Sequence, residues 1–363
     1  MYDVIIVGAG PAGAAAGYDL AAAGIRVLAL DKSEFPRQKP CAGGVTPKGV
    51  LSYRYDIGSV VRQSCHTLRI RSNKHHIIDI SAPKPLCHMT SRKELDTFSL
   101  NQALAKGMRF LVARKISSID ESSSGVVIRS DAGNFTGRYL VGADGANSLV
   151  RRYVTKKKFF RRRFAIECDV HVDQPDSYEM EFDFSRRPGG YSWIFPKGDH
   201  LNIGIYTIDQ GQKLGLQDLA GFVRYRTGKS RLTGVRGYPI ITGGRGYRPD
   251  PVRRILLAGD AAGSAEALFG EGIFFAVKSG QAAARAVMDA LDSRPNNAAR
   301  QYRDYLKPVK RDLRLFDLAA WVFYRFPGLS FKLASHQRVL SRFARGYSNG
   351  HSLTAVLTSQ RLS

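Results

Sequence analysis

The chain has little cysteine: four residues among 363, at Cys41, Cys65, Cys87 and Cys168. They lie far apart and form no CxxC pair, so their spacing excludes a zinc ribbon and a dense disulfide framework. We therefore predict no metal site and a reducing compartment. A chain of this length, 44% hydrophobic, buries a large core without such cross-links.

Long apolar runs are also absent. No uninterrupted stretch reaches the roughly 18 apolar residues that a membrane-spanning helix needs. The apolar opening from Met1 to Leu30 carries Asp3 in place of a basic start and is broken by glycines, so it does not match a secretory signal. We expect a cytoplasmic protein, either free or associated with the inner face of the membrane.

Acidic residues are under-represented. The 31 Asp and Glu oppose 55 Lys and Arg, which gives a formal net charge of +24 and favours polyanions such as nucleic acid, anionic lipid headgroups or pyrophosphate. The densest basic run, residues 156–163, contains two phenylalanines and fits either a membrane-surface or nucleic-acid patch or a solvated linker. No nucleic-acid recognition motif accompanies the charge, so we do not expect nucleic acid as the partner.

The N-terminus contains a strand, a small-residue helix and a second strand. Residues 3–7 form an apolar run, residues 13–23 have the composition of a helix that ends at Gly24, and residues 26–30 form the next apolar run. This order is that of a βαβ unit, the building block of a parallel nucleotide-binding sheet.

The turn between the first strand and the helix has the glycine spacing of a dinucleotide-binding site. Gly8 permits a tight turn, Gly10 lets the backbone approach a pyrophosphate, and Gly13 lets the helix lie close to the sheet. The helix start supplies amide donors for the phosphates, and Asp31, at the end of the second strand, is placed to bind ribose hydroxyls. The same predicted site includes two neighbouring residues, Ala12 and Lys32.

The rest of the chain divides into further regions. Residues 125–129 and 134–141 are typical of paired strands, and the segment from 165 to about 208 alternates apolar and polar residues as an antiparallel sheet does. A strand at 255–258 then precedes a helix at about 270–291. The predicted α/β fold has a discontinuous Rossmann-like nucleotide-binding domain (1–154 and 247–292), an inserted antiparallel-sheet substrate domain (155–246) and a basic helical C-terminal region (298–363).

Two later segments resemble the fingerprints of flavoprotein hydroxylases and reductases. Residues 141–151, VGADGANSLVR, look like the second fingerprint of these enzymes, and residues 256–262, LLAGDAA, look like the third. The resemblance implies FAD as the cofactor, with Asp260 on the flavin ribitol. The helix start around Gly270 and Gly272 would then stabilise negative charge on reduced flavin.

Further segments are similar to geranylgeranyl reductases. Residues 37–44, RQKPCAGG, are similar to the Cys-Gly-Gly region of that family, residues 191–196, YSWIFP, to its YxWxFP substrate-sheet motif, and residues 270–273, GEGI, fit the same family. Residues 91–96, which include Arg92, are also similar to the family's arginine segment that packs on the cofactor. The resemblance extends to about residue 290.

This resemblance implies reduction of carbon–carbon double bonds in an isoprenoid or prenyl lipid, with NAD(P)H or another reductant as electron donor. Two departures, Tyr206 in place of a frequent glycine and Ala267 in place of a usual proline, concern the substrate more than the cofactor. The predicted catalytic residues are Cys41, Tyr191 and Trp193. The resemblance adds further cofactor contacts at Cys41, Ala42, Gly43, Arg92, Asp144, Gly259, Asp260, Gly270, Gly272 and Ile273.

Three of these features have a second interpretation. Tyr191, Trp193 and Phe195 alternate along a strand and share a face that is either a pocket wall or plain core. Cys41 is either packing or a group of altered reactivity beside the flavin. The helix predicted over residues 310–326 mixes apolar side chains at helical spacing with arginines, so it either lies in a bilayer interface or packs on the core.

Two other functions share part of the pattern. A flavin monooxygenase or halogenase acting on an aromatic substrate has the same cofactor fingerprints, and YSWIFP distantly resembles the halogenase tryptophan motif. A non-catalytic basic protein that binds nucleic acid or lipid would use the fold only as a scaffold. Oxygen dependence separates the first function from prenyl reduction, and FAD retention separates the second.

Overall fold

The computed structural model describes residues 1–72, 76–155, 160–208, 214–292 and 297–358. The strands, in chain order, are β1 (Tyr2–Val7), β2 (Val27–Asp31), β3 (Gly44–Val45), β4 (Val61–Cys65), β5 (Thr67–Arg71), β6 (Ile77–Ser81), β7 (Cys87–Thr90), β8 (Arg109–Val112), β9 (Ile116–Glu121), β10 (Val126–Ser130), β11 (Gly133–Gly142), β12 (Arg161–Val170), β13 (Met180–Asp183), β14 (Gly190–Pro196), β15 (Leu201–Thr207), β16 (Thr233–Thr242) and β17 (Ile255–Leu257). The helices are α1 (Pro11–Ala22), α2 (Pro47–Val50), α3 (Arg92–Ala105), α4 (Leu149–Val154), α5 (Leu216–Thr227), α6 (Ile273–Asp292), α7 (Ala298–Tyr305), α8 (Lys307–Arg325), α9 (Pro327–Ala334), α10 (Gln337–Ser348) and α11 (Leu353–Thr358).

The first sheet is the Rossmann-like core that the N-terminal pattern predicts. Its strands run in the order β8-β2-β1-β11-β10-β9, and β17 pairs with the last residues of β11. The pairings of β8 with β2, β2 with β1, β1 with β11 and β11 with β17 are parallel, whereas β9, β10 and β11 pair antiparallel. Since β17 lies next to β11, the predicted return of the chain to this sheet at 255–258 is confirmed.

Small residues hold α1 close to its neighbours. A Cβ added to Gly13 would lie 1.8 Å from the Gly8 carbonyl oxygen, and one added to Gly280 would lie 2.1 Å from the Ala12 carbonyl oxygen. Helices α1 and α6 therefore pack backbone to backbone, which places the starts of both helices beside the same end of the sheet.

The second sheet has the strand order β16-β12-β15-β14-β13-β5-β6. All its pairings are antiparallel except that of β13 with β5, which is parallel. Strands β5 and β6 precede residue 155, so the sheet takes in more of the chain than the predicted range 155–246. Apolar residues alternate in both strands and bury Leu68, Ile78 and Ile80, which is why these strands join a packed sheet.

The two faces of the second sheet bury different partners. Tyr191 and Trp193 of β14 belong to the same apolar cluster as Phe331 of α9 and Ala344 of α10. The next residue of the strand, Ile194, belongs to the cluster that α5 covers on the other face. The alternation of side chains along β14 thus separates a face toward the C-terminal helices from a face toward α5.

The C-terminal region is helical, as predicted, and its helices pack on the first and second sheets. The Tyr302 hydroxyl of α7 donates a 2.6 Å hydrogen bond to the Leu257 carbonyl of β17, and Leu313 and Phe316 of α8 join the core of the first sheet. Among the described helices, none is both long and apolar enough to cross a bilayer. Of the predicted basic run, residues 156–159 lie outside the described residues, and the remainder leads into β12.

Candidate active site

A cavity of about 600 Å³ lies at the carboxyl ends of β1 and β2. Its walls come from the N-terminal glycine turn, residues 37–44, the inner face of the second sheet, the segment before α6, and helices α8, α10 and α11. A cleft at the carboxyl ends of parallel strands is the usual ligand site of such folds, and this volume is typical of ligand-binding clefts.

The glycine turn forms a cradle at one end of the cavity. Gly8 has φ +100°, and a Cβ there would lie 2.3 Å from the Ala143 carbonyl oxygen, so packing requires glycine at this position. Gly10 differs, because the nearest atom to an added Cβ is Arg37 Nη2, at 3.4 Å. The space over Gly10 is open toward the start of α1, which carries no acidic residue in its first turn. That arrangement suits a pyrophosphate.

Asp31 is fixed by the backbone around it. Its Oδ2 accepts a 2.8 Å hydrogen bond from the Ala9 N–H, and its Oδ1 accepts one of 2.9 Å from the Ser33 N–H. The carboxylate therefore ties the glycine turn to the end of β2 and stays at the cavity edge, where lone pairs that these bonds leave free can accept from ribose hydroxyls.

The second and third fingerprints are joined to each other. Asp144 accepts hydrogen bonds from the N–H groups of Leu149, at 2.6 Å, and Val150, at 3.2 Å, so it caps α4, and burial raises its pKa. The Arg151 guanidinium donates to the carbonyl oxygens of Asp260, at 2.9 Å, and Ala261, at 3.2 Å. Asp144 thus organises the helix that holds the Asp260 segment against the cavity.

Cys41 lies among fixed polar groups. Its Sγ accepts the Gly43 N–H at 3.4 Å, and the buried Arg92 side chain is close enough to interact with it electrostatically. Arg92 in turn donates two 2.7 Å hydrogen bonds to Asp96, and the Cys41 N–H donates a 3.0 Å hydrogen bond to Glu167. The thiol therefore sits in a defined position at the junction between the two sheets.

An aromatic wall lines the other end of the cavity. Tyr191, Trp193 and Phe195 are buried on one face of β14, and the Tyr191 ring lies 5.2 Å from Tyr206 and 5.1 Å from Phe182 between centroids. The Trp193 Nε1–H donates a 2.8 Å hydrogen bond to Asn202, so its polar edge is satisfied. The alternative that these side chains are plain core does not describe them fully, because all three line the cavity.

The segment before α6 is held by three tyrosine hydroxyls. Tyr206 donates to the carbonyl of Ala267 at 3.2 Å, Tyr324 to that of Leu268 at 2.6 Å, and Tyr191 to that of Phe269. Three successive carbonyls are therefore fixed by side chains from β14, β15 and α8. This brings the start of α6, after Gly270 and Gly272, to the cavity in one orientation.

The residues present fit FAD. The open cradle over Gly10 accommodates a pyrophosphate, Asp31 lies where a ribose binds, and Asp260 with Gly272 lies beside the helix start that would face the isoalloxazine. These positions line a single cavity, as a dinucleotide requires, and the apolar wall continues from them.

Comparison with known proteins supports the same cofactor. A family model described as an FAD binding domain matches residues 1–186. An uncharacterized protein of Methanosarcina barkeri is 36% identical over 92% of this chain and 86% of its own length. The geranylgeranyl diphosphate reductase of Rhodobacter capsulatus is 30% identical over 80% of this chain and 76% of its own length. The chain belongs to the geranylgeranyl reductase family. It is an FAD-dependent oxidoreductase.

More distant matches include one further named reductase and two solved structures that share the fold of this oxidoreductase. A digeranylgeranylglycerophospholipid reductase of Methanococcus vannielii is 26% identical over 81% of this chain and 78% of its own length. The crystal structure of a geranylgeranyl bacteriochlorophyll reductase-like protein of Thermoplasma acidophilum superposes with a TM-score of 0.79 at 22% identity, covering 98% of this chain and 94% of that one. A halogenase superposes with a TM-score of 0.77 at 19% identity, covering 96% and 81%.

Every residue predicted for the site of this reductase lines the cavity except Gly13. Gly13 instead lies under the Gly8 carbonyl, where its missing side chain allows the turn to close. The cavity therefore brings together the three predicted catalytic residues and the remaining predicted cofactor contacts. Direct contact of each residue with FAD or substrate stays a prediction.

Lys197 was not predicted from the sequence, although it directly follows the YSWIFP motif. It is buried, and its Nζ donates to the Ala42 carbonyl and, at 2.9 Å, to the Thr90 carbonyl. Burial lowers the pKa of Lys197 to about 8. These hydrogen bonds hold the backbone beside Cys41 in place. The position of Lys197 directly after the YSWIFP motif was the only sequence signal that could have indicated its role.

Glu266 was also missed. Its buried carboxylate accepts hydrogen bonds from the N–H groups of Leu268, at 2.6 Å, and of Phe269 and Glu271, both at 2.8 Å. Burial raises its pKa to about 7, against the effect of these donors. Glu266 thus fixes the N–H side of the same segment whose carbonyls the tyrosines hold.

Proposed function

We propose that this reductase saturates carbon–carbon double bonds of a prenyl chain in a geranylgeranyl-type lipid or diphosphate. The single observation that carries the proposal is that the FAD cradle and the aromatic wall line one continuous cavity. The two meet at Gly44, where an added Cβ would lie 3.0 Å from the Phe195 ring. The segment that carries Cys41 therefore packs directly on the wall along which a prenyl chain would lie.

The relatives support this substrate class. The Rhodobacter capsulatus protein is named for geranylgeranyl diphosphate, and the Methanococcus vannielii protein for a digeranylgeranylglycerophospholipid. Both substrates carry long apolar chains with several double bonds and a phosphate-bearing head. An apolar slot in a protein of net charge +24 suits both parts of such a molecule.

When bound, FAD supplies hydride chemistry, after reduction by NAD(P)H or another reductant. The residues of this chain then have three tasks: to hold the cofactor, to exclude water and to place the alkene. Gly10, Asp31 and Asp260 would hold the cofactor, and Tyr191 and Trp193 form the dry wall against which the alkene lies.

Saturation of an alkene also needs a proton for the second carbon, and we propose Cys41 as the group that holds it. Its Sγ lies at the cavity surface, where the Gly43 N–H donates a hydrogen bond to it and the Arg92 side chain lies nearby. Tyr191 is unsuited to this task, because its hydroxyl donates to the Phe269 carbonyl and burial raises its pKa well above the ordinary value. We therefore propose that Tyr191 and Trp193, predicted as catalytic, position the prenyl chain.

The test is anaerobic turnover followed by mass analysis. Dithionite-reduced protein is incubated with geranylgeranyl diphosphate or a geranylgeranylated glycerophospholipid. The molecular masses of the products are then measured by mass spectrometry. We expect a gain of two hydrogens for each double bond reduced, and unchanged substrate mass would contradict the proposal.

The fold likeness to a halogenase supports one alternative, oxygen-dependent chemistry on an aromatic substrate. Oxygen uptake that depends on an aromatic compound, together with inert prenyl substrates, would favour that alternative. The same purified protein and the same reductant serve both assays, so one preparation decides between them.

A further inference from the structure

Helix α8 has two apolar faces, of which one is buried and the other is exposed. On the inner face, Phe316 lines the cavity, and the Phe323 ring lies 4.8 Å from Phe184 of the second sheet between centroids. On the outer face, Leu318 and Trp321 are 58% and 62% exposed. They are three residues apart and therefore neighbours on the helix surface. One face of the helix packs on the core, and the other exposes large apolar side chains to solvent.

Further exposed apolar side chains follow along the chain after α8. The Phe326 ring packs edge-on against Trp321 at 6.0 Å between centroids, and Leu329 and Leu333 on α9 are 56% and 59% exposed. Since they are four residues apart, these leucines share one face of α9. We define the docking ridge as six exposed residues of α8, the turn after it, α9 and α10: Leu318, Trp321, Phe326, Leu329, Leu333 and Val339.

The charged residues within the segment that carries the docking ridge are all basic. From residue 318 to residue 358 the sequence contains five Lys and Arg and no Asp or Glu. Arg325, Lys332 and Arg338 are exposed on the same three helices that carry the ridge. Exposed aromatic and aliphatic side chains flanked by cations are the pattern of a helix surface that lies in an anionic bilayer interface.

Two of the three helices that carry the ridge also wall the cavity. Ala319 of α8 and Phe343 and Tyr347 of α10 line it. Among the described helices, none is able to span a bilayer, so contact through the ridge would leave the protein lying on the surface.

We propose that the docking ridge binds the surface of an anionic lipid bilayer and places the cavity mouth next to it. A prenyl lipid then passes from the bilayer to the aromatic wall without its apolar chain crossing water. The second part rests on the proposed function, whereas bilayer binding itself does not. It follows that binding is strongest to anionic vesicles and weakens as salt is raised.

The chain carries its own reporter for this test. It has two tryptophans, the buried Trp193 and the exposed Trp321. The tryptophan fluorescence of a Trp193→Phe variant therefore comes only from the ridge. The probe is vesicles of phosphatidylcholine, with and without phosphatidylglycerol, followed by sedimentation of wild-type protein and by Trp321 fluorescence of the variant. We expect co-sedimentation and a blue shift with the anionic vesicles only.

A matched pair of variants locates the surface. Leu329→Glu with Leu333→Glu places two charges on the ridge, and we expect at least about tenfold weaker binding to anionic vesicles. Leu216→Glu changes a leucine of similar exposure, 60%, on α5, which covers the opposite face of the second sheet, and we expect unchanged binding. Circular dichroism confirms that each variant is folded.

Three outcomes would overturn the proposal: no binding to anionic vesicles, equal loss in both variants, or a dimer in light scattering that the ridge variant abolishes. The proposed function fails separately. Vesicle binding without prenyl reduction would refute the enzyme activity and leave the docking ridge intact. Reduction of detergent-dispersed substrate without vesicle binding would refute the ridge alone.

Discussion

The Tyr324 hydroxyl of α8 donates a 2.6 Å hydrogen bond to the backbone carbonyl of Leu268, in the segment that leads into α6. This bond joins the C-terminal helices to the part of the cavity that would face the flavin. The basic C-terminal region, which contains none of the sequence motifs, therefore has a definite structural role. It supports the cofactor segment with one face of α8 and presents the docking ridge with the other.

Replacing Tyr324 by phenylalanine should weaken this support. The Leu268 carbonyl would lose its partner in a partly buried place, which costs about 1 kcal/mol of unfolding free energy. We expect a lower Tm and a weaker FAD Kd, measured by thermal denaturation and fluorescence titration. Tyr225→Phe on α5, where the side chain is 49% exposed, is the control and should change neither. Equal values for wild type and Tyr324→Phe would refute the supporting role.

A methyl group at Gly10 should block the phosphate cradle without harming the fold. The nearest atom to an added Cβ is 3.4 Å away, so the Gly10→Ala chain packs normally, while the methyl occupies space that the pyrophosphate needs. We expect at least about tenfold weaker FAD binding at nearly unchanged Tm of the flavin-free protein. Gly221→Ala in α5, which meets nothing within 4 Å, is the matched control. Full FAD occupancy in Gly10→Ala would place the pyrophosphate elsewhere.

Glu266 should make the stability of the protein depend on pH. Its pKa is about 7 in the folded chain and 4.5 in a model peptide, so the folded chain holds a proton over this interval that the unfolded chain has lost. The free energy of unfolding that this protonation adds is fully present below about pH 4.5. It is lost as the pH rises toward about 7, and amounts to at most about 3 kcal/mol.

Urea denaturation of wild type and Glu266→Gln at successive pH values tests this sign. The difference in unfolding free energy between the two proteins should change across pH 4.5 to 7 and stay level above it, because the glutamine does not titrate. Parallel stability curves for the two proteins would show that the carboxyl group titrates normally.

Cys41→Ser should slow the reaction and leave the cofactor in place. If the thiol holds the proton, its replacement by a far weaker acid should lower kcat for prenyl reduction about a hundredfold. FAD content, read from flavin absorbance, should match wild type. Cys168→Ala, on the α5 side of the second sheet, is the control and should retain activity. A wild-type kcat in Cys41→Ser would show that another group or a water molecule supplies the proton.

Local sequence patterns indicated which segments meet at the glycine-turn end of the cavity. The glycine turn, Asp31 and the Asp144 and Asp260 segments each lie at or just after the end of a strand of the first sheet, so short-range spacing places them together once the sheet forms. The predicted helix over 310–326 is observed as Lys307–Arg325, and the interpretation that it packs on the core is confirmed for one of its faces. Its inner face packs on the core, and its outer face is exposed.

Long-range pairings escaped prediction. Strands β5 and β6 join the second sheet because β5 pairs with β13, more than a hundred residues later, and nothing in either strand specifies that partner. Lys197 and Tyr324 act through backbone carbonyls of distant segments, and a carbonyl acceptor leaves no mark on the sequence. The cluster around Cys41 was found only because a family resemblance drew attention to it.

The most direct test of the central claim is a single turnover observed on the flavin itself. Anaerobic protein, reduced with dithionite until no reductant remains, is mixed with geranylgeranyl diphosphate, and oxidised-flavin absorbance is recorded while products are analysed by mass. We predict that the flavin is reoxidised and that one double bond is saturated for each flavin oxidised. A flavin that stays reduced with the prenyl substrate, and is reoxidised only when oxygen is admitted, would contradict the account.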